Sequence, residues 1–204
     1  MNWLAHVFLS ENDIDYRLGN LLADTLKGRS FKGASRPFEA GLAMHCRIDA
    51  FTDANPHVAK SKARLEGKKY LRGVIVDIVY DHLLVKNWGE YSRIGIGEFL
   101  QTFYEEADMA VQDYPDKAKA FVDRVIDNDI LNSYGTFEGL ETAFLRIDRR
   151  LSARLHSRES AAEYLPLVKK EIAGLEEDFS RFFPELVAHF KAQAGALGGE
   201  HWLK

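Results

Sequence analysis

With one cysteine in 204 residues, Cys46, the chain has no internal disulfide, and no CxxC or Cys/His cluster is present to hold a structural zinc. That usage suits a reducing compartment, and a cytoplasmic setting is expected. Prolines number only five, and four of them (Pro37, Pro56, Pro115 and Pro184) fall where helices can start or stop. Pro166, after SAAEYL, fits the first turns of a helix. No apolar run approaches the roughly 20 residues of a membrane span. The apolar start MNWLAHVFLS lacks the basic leader and small-residue cleavage site of a secretory signal. Internal repeats and low-complexity stretches are also missing, which excludes solenoids and biased-composition segments.

What is present is an ordinary soluble balance, 46% hydrophobic and 28% charged, at a length suited to one domain with a substantial core. The net charge of −4 argues against a nucleic-acid partner, but its distribution is uneven. Between Lys27 and Arg72 eleven basic residues meet only four acids, a local charge of +7. Such a segment steers an acidic partner, or it is a solvated helix face with none.

Apolar spacing and stop signals predict helices over residues 2–9, 16–27, 37–52, 57–66, 71–88, 96–112, 116–131, 136–155 and 160–192, the last with a break at Pro184. GVIVDIVY is β-branched enough for a strand, but nothing nearby could pair with it, so a helix is expected there too. The prediction is all-α, one compact multi-helix domain over 1–192 with a loosely ordered tail over 193–204.

Several helices carry carboxylates in apolar company, which is costly without a positive partner. In DIVYDHLL, Asp77 and Asp81 lie about 40° apart on a mostly apolar face, with His82 about 100° further round. MHCRIDAFTD places His45, Asp49 and Asp53 at i, i+4, i+8, with Arg47 pointing elsewhere. Asp24 sits in GNLLAD and His6 in WLAHVFL, again among aliphatics.

Each has a plain structural explanation. His6 fits a hydrogen-bonded core histidine, and Asp24 a carboxylate on a backbone amide. Arg47 can pair with an aspartate, and His45–Asp49 with each other along the helix. Together they form five aspartates and three histidines against one evident buried cation, Arg47. Left uncompensated, buried carboxylates cost on the order of several kcal/mol each. A divalent cation removes that cost, and a ligand mix without thiolate suits Mn²⁺, Mg²⁺ or Fe²⁺. HExxH, P-loop, GxSxG, GxGxxG and Glu-x-x-His patterns are all absent, which leaves metal-assisted hydrolysis.

The ordered set NWLAH, GNLLAD, MHCRIDAFTD and DIVYDHLL resembles the acyl carrier protein phosphodiesterases, also called acyl carrier protein hydrolases. The resemblance runs from Met1 to about residue 190 and is most specific in the first 90 or so. It implies an all-helical, HD-phosphohydrolase-like core and a divalent cation, Mn²⁺ foremost. The implied reaction is hydrolysis of the phosphodiester joining a carrier-protein serine to 4′-phosphopantetheine, giving apo carrier protein and 4′-phosphopantetheine. HD enzymes usually show a histidine, an adjacent His-Asp pair and a distant aspartate. Here the adjacent pair is Asp81-His82, and the isolated Asp24 precedes it.

On that resemblance the metal ligands are Asp24, His45, Asp81 and His82. His6, Asp49, Asp53 and Asp77 support them or position the attacking water, while Arg47 binds a phosphate oxygen or locks Asp49. Carrier proteins are small, acidic and helical, so the basic segment becomes their dock through Lys27, Arg29, Lys32, Arg36, Lys60, Lys62, Arg64, Lys68 and Lys69. Two other functions fit the same residues: an HD-type small nucleotide phosphohydrolase, and a non-catalytic helical adaptor for an acidic partner.

Overall fold

The computed structural model describes residues 1–66, 69–193 and 203–204, which hold twelve α-helices and no strand. In chain order these are α1 (Trp3–Phe8), α2 (Ile14–Leu26), α3 (Arg36–Ala54), α4 (Pro56–Arg64), α5 (Arg72–Lys86) and α6 (Trp88–Tyr91). There follow α7 (Ile96–Ala110), α8 (Asp116–Asp127), α9 (Ile130–Ser133), α10 (Phe137–Asp148), α11 (Ala153–His156) and α12 (Leu165–Gln193). None is long and apolar enough to cross a membrane, among the described residues.

The predicted helices are all there, with shifts that have local causes. The helix expected over 116–131 divides because Asp129 takes a left-handed conformation (φ 43°) between α8 and α9. The helix expected over 136–155 stops at Asp148, whose carboxylate instead accepts the Ser160 hydroxyl and the Ala161 and Ala162 amides. Pro184 does not break α12, whose face of Phe179, Phe182, Phe183 and Leu186 is fully buried on either side of it. In the tail, Leu203 is buried and bridges Ser92, and the Lys204 amide donates to the Tyr91 carbonyl. The remainder of the predicted loose tail, 194–202, lies outside the described residues, as does Lys68.

Side-chain caps define the helix starts around the site. Asp13 accepts from Tyr16 to open α2, Ser35 from Phe38 to open α3, and Asn55 from His57 to open α4. The α2–α3 pair is exceptionally close. A Cβ on Gly19 would sit 2.1 Å from the Phe38 carbonyl oxygen, and one on Gly41 2.1 Å from that of Tyr16. Only glycine permits that backbone approach. The residue after Gly19, Asn20, is thereby brought against the next turn of α3, where His45 stands.

Candidate metal centre

Three side chains from two helices converge: His6 of α1 with His45 and Asp49 of α3, each offering a ligand atom within 4.8 Å of the others. Asp49 bridges the histidines, its Oδ1 3.2 Å from His6 Nε2 and its Oδ2 3.2 Å from His45 Nε2. The two imidazoles stack, with centroids 4.0 Å apart and planes 16° apart. Asp24, at the end of α2, adds an oxygen 3.4 Å from His45 Nε2.

Asn20 sets the orientation of both rings. Its backbone carbonyl accepts from His45 Nδ1 at 2.8 Å, and its side-chain Oδ1 accepts from His6 Nδ1 at 2.8 Å. The Asn20 amide is fixed in turn by donating to the His6 carbonyl and the Ser10 hydroxyl, both at 2.9 Å. With Nδ1 the donor in each ring, both Nε2 atoms face the carboxylates. A neutral histidine would then aim a lone pair at a carboxylate, which is unfavourable unless a proton or a cation lies between. His45 Nε2 is buried and makes no hydrogen bond of good geometry.

The charge balance follows from this arrangement. Burial opposes protonation of His45, but Asp24 and Asp49 outweigh it and push its pKa up to about 10. Burial would raise Asp49, yet the two imidazoles hold its carboxyl far below the usual range. The neighbouring His45 likewise lowers Asp24. His6 is lowered by its own burial, against the pull of Asp49. A divalent cation in place of the His45 proton would meet two neutral imidazole nitrogens and carboxylate oxygens, a donor set suited to Mn²⁺ or Fe²⁺. The residues present therefore fit such an ion.

Several expectations are corrected here. Asp81 is completely buried, and its two oxygens accept the Leu4 and Ala5 amides at 2.8 and 3.1 Å. It caps the first turn of α1 from the middle of α5, satisfying donors that a helix start leaves unpaired. Burial raises its pKa to about 7 against those two amides. His82 donates from Nδ1 to the Tyr134 carbonyl at 2.7 Å and lies against Phe137, and burial lowers its pKa. The Asp-His pair thus ties α5 to α1 and to the loop before α10, and neither residue joins the His6–His45–Asp49 group.

Asp77 lies 3.1 Å from the Met1 amino group, which is also 3.6 Å from Asp49. That ammonium is the counter-charge nearest to Asp77. Asp53 is exposed and pairs with Lys62 at 2.8 Å, away from the cluster. Arg47 is not a buried cation: it is exposed, and its guanidinium lies 5.4 Å from the Phe190 ring centroid. The buried arginine is Arg17, 2% exposed and paired with Glu106.

The basic segment also divides. Lys60 and Arg64 bind the fully buried Asp178 of α12 at 3.0 and 2.6 Å, and Ser61 joins them at 3.1 Å. With Lys62 on Asp53, three of the expected docking charges are neutralised internally. Lys27, Arg29, Lys32, Arg36 and Lys69 are exposed, and none has an ion-pair partner among the described residues. Asn20 and Asp178 were missed in the sequence. The signal for Asn20 was its i, i+4 spacing to Asp24, and for Asp178 its place in EDFSRFF, among phenylalanines.

The family model described as "Acyl carrier protein phosphodiesterase" matches residues 1–186. An acyl carrier protein phosphodiesterase from Enterobacter sp. (strain 638) is 24% identical over 194 residues, 94% of this chain and 98% of that protein. One from Escherichia coli O157:H7 is 24% identical over 197 residues, 95% of this chain and 100% of its own length. One from Photorhabdus laumondii subsp. laumondii is 38% identical over 90 residues, 43% of this chain and 45% of that protein. No solved structure matches the chain.

Proposed function

Because this chain belongs to the acyl carrier protein phosphodiesterase family, whose model spans 1–186, we propose that it removes 4′-phosphopantetheine from holo acyl carrier protein with the help of a divalent cation. Water adds to phosphorus, the bond from phosphorus to the serine oxygen breaks, and that oxygen takes up a proton. The products are apo carrier protein and a phosphomonoester. His6, His45 and Asp49 would hold the ion, with Asp24 closing the group on its solvent side. A bound Mn²⁺ supplies Lewis acidity at a phosphoryl oxygen and lowers the pKa of water beside it.

The protein's own part is orientation. Asn20 keeps both Nε2 atoms turned toward Asp49, so the ligand group is formed before any ion arrives. Asp24 is three-quarters exposed, with its Oδ1 3.4 Å from His45 Nε2. Its second oxygen is left to hydrogen-bond and aim the attacking water. The unpaired cations Lys27, Arg29, Lys32 and Arg36 follow directly on from Asp24 and attract an acidic carrier protein to the site.

The observation carrying this reading is His45: its Nδ1 is committed to a carbonyl, and its Nε2 is aimed between two carboxylates. Incubating the protein with Mn²⁺ and holo carrier protein, then measuring intact mass, tests it. Loss of the prosthetic-group mass is expected. An unchanged carrier protein, or preferential turnover of free nucleotides in a parallel assay, would overturn the assignment.

A further inference from the structure

The metal-cluster carboxylate Asp24 is also part of the wall of a cleft of about 450 Å³. Its other walls come from α1, α8 and the turn after α10, not from the basic segment between Lys27 and Arg72 alone. In α8, Lys117, Phe121 and Arg124 are spaced i, i+4, i+7 and so share one face. Lys117 is held by donating to the Thr25 carbonyl at 2.6 Å, at the end of α2. Phe121 meets Trp3 edge-on at 5.0 Å, and the Arg124 guanidinium lies 5.2 Å from the Phe121 centroid. Arg150 and Lys27 complete the basic lining.

These cations are poorly compensated. Among the described residues Arg124, Arg146 and Arg150 have no carboxylate within 4.0 Å. Arg146, whose charge acts on Arg124, has a buried Nη1 with no hydrogen-bond partner. Burial, then Arg150 and Arg146, disfavour the charge on Arg124. Like charges gathered without counter-ions cost stability, and a bound anion would relieve them. The cleft is in the size range of small-molecule sites and has an aromatic wall as well as cations. A protein helix would need a broad, open face instead.

We infer that this cleft binds the 4′-phosphopantetheine arm, its phosphate at the Asp24 and Lys27 end among the cleft cations and its dimethyl-bearing chain along Trp3 and Phe121. The inference rests on the proposed function and adds to it the place where the leaving arm is held. Cleavage turns a phosphodiester monoanion into a phosphomonoester approaching a dianion, so the same cations grip the product more tightly than the substrate. The cleft therefore makes free 4′-phosphopantetheine an inhibitor.

Calorimetric titration of 4′-phosphopantetheine into the intact protein tests this without requiring turnover. Wild type should bind it, and pantetheine, which lacks the phosphate, should bind at least about tenfold more weakly. Arg124→Ala and Arg150→Ala should each weaken 4′-phosphopantetheine about tenfold or more, with apo carrier protein affinity unchanged and a melting temperature no lower than that of wild type. The cleft assignment is overturned if wild type does not bind 4′-phosphopantetheine or if both variants bind it as wild type does. A loss of carrier-protein affinity instead would overturn it too. Binding that behaves as expected, beside a holo carrier protein that keeps its mass, would count against the proposed reaction alone.

Discussion

Asn20 accepts a hydrogen bond from the Nδ1 of His45 on its backbone carbonyl at 2.8 Å, across the interface between α2 and α3. Its side-chain oxygen takes the Nδ1 of His6 at the same distance, so one buried residue fixes the tautomer of two stacked imidazoles.

Removing the side chain should release His6 but leave the His45 contact, which is to the backbone. Asn20→Ala is expected to lower Mn²⁺ affinity by about 10- to 100-fold. Competition with a chromophoric chelator measures this, with helical circular dichroism as the check on folding. Asn20→Asp retains an acceptor and should recover part of the loss.

If His45 is a metal ligand as proposed, proton and metal compete for its Nε2. The apo-protein pKa of about 10 lies above the ordinary 6.5, so ion pairing of His45 stabilises the metal-free fold fully below about 6.5 and is lost as pH rises through about 10. Metal uptake must expel that proton. Between pH 6.5 and 8.5 Mn²⁺ affinity should rise by roughly tenfold per unit, with about one proton released per ion. Calorimetry in buffers of different ionisation enthalpy counts the protons.

Asp81 should behave as a structural cap. Asp81→Ala leaves the Leu4 and Ala5 amides buried without acceptors, at a cost of about 2–4 kcal/mol. Thermal melting should show a fall of several degrees, while the folded variant keeps its Mn²⁺ affinity. Its folded pKa of about 7 exceeds the ordinary 3.8, so its contribution to stability is greatest below about 4 and declines as pH rises to about 7. Lost Mn²⁺ binding with an unchanged melting temperature would return Asp81 to the ligand set.

The helix contact beneath the site is equally specific. In Gly41→Ala the new Cβ would meet the Tyr16 carbonyl at 2.1 Å, so the helices must separate. A loss of about 1–3 kcal/mol is expected from denaturant melts, together with weaker Mn²⁺ binding as Asn20 draws away from His45.

Docking should depend on the unpaired cations only. The double variant Arg29→Ala with Lys32→Ala should raise KM for holo carrier protein on the order of tenfold, and salt should erase the difference. Lys60→Ala, whose charge is spent on Asp178, should leave KM unchanged.

What was legible in the sequence was what lies within one helix. Apolar spacing located the helices, and the i, i+4 step put His45 beside Asp49. Contacts between helices were not legible. DIVYDHLL suggested a metal wall, yet Asp81 is used by amides 76 and 77 residues away in sequence. Charge counted along the chain marked residues 27–72, but folding spends Lys60, Lys62 and Arg64 internally and brings Arg124 and Arg150 from the acidic remainder to the cleft that Asp24 lines.

His6, His45 and Asp49 are the proposed metal ligands. The most direct test is the electron paramagnetic resonance signal of free Mn²⁺ during titration into wild type, His45→Ala and Asp49→Ala. Wild type should remove the six-line signal of the free ion until its site is filled, and both variants should leave that signal in solution. Variants that take up Mn²⁺ as wild type does would contradict the account.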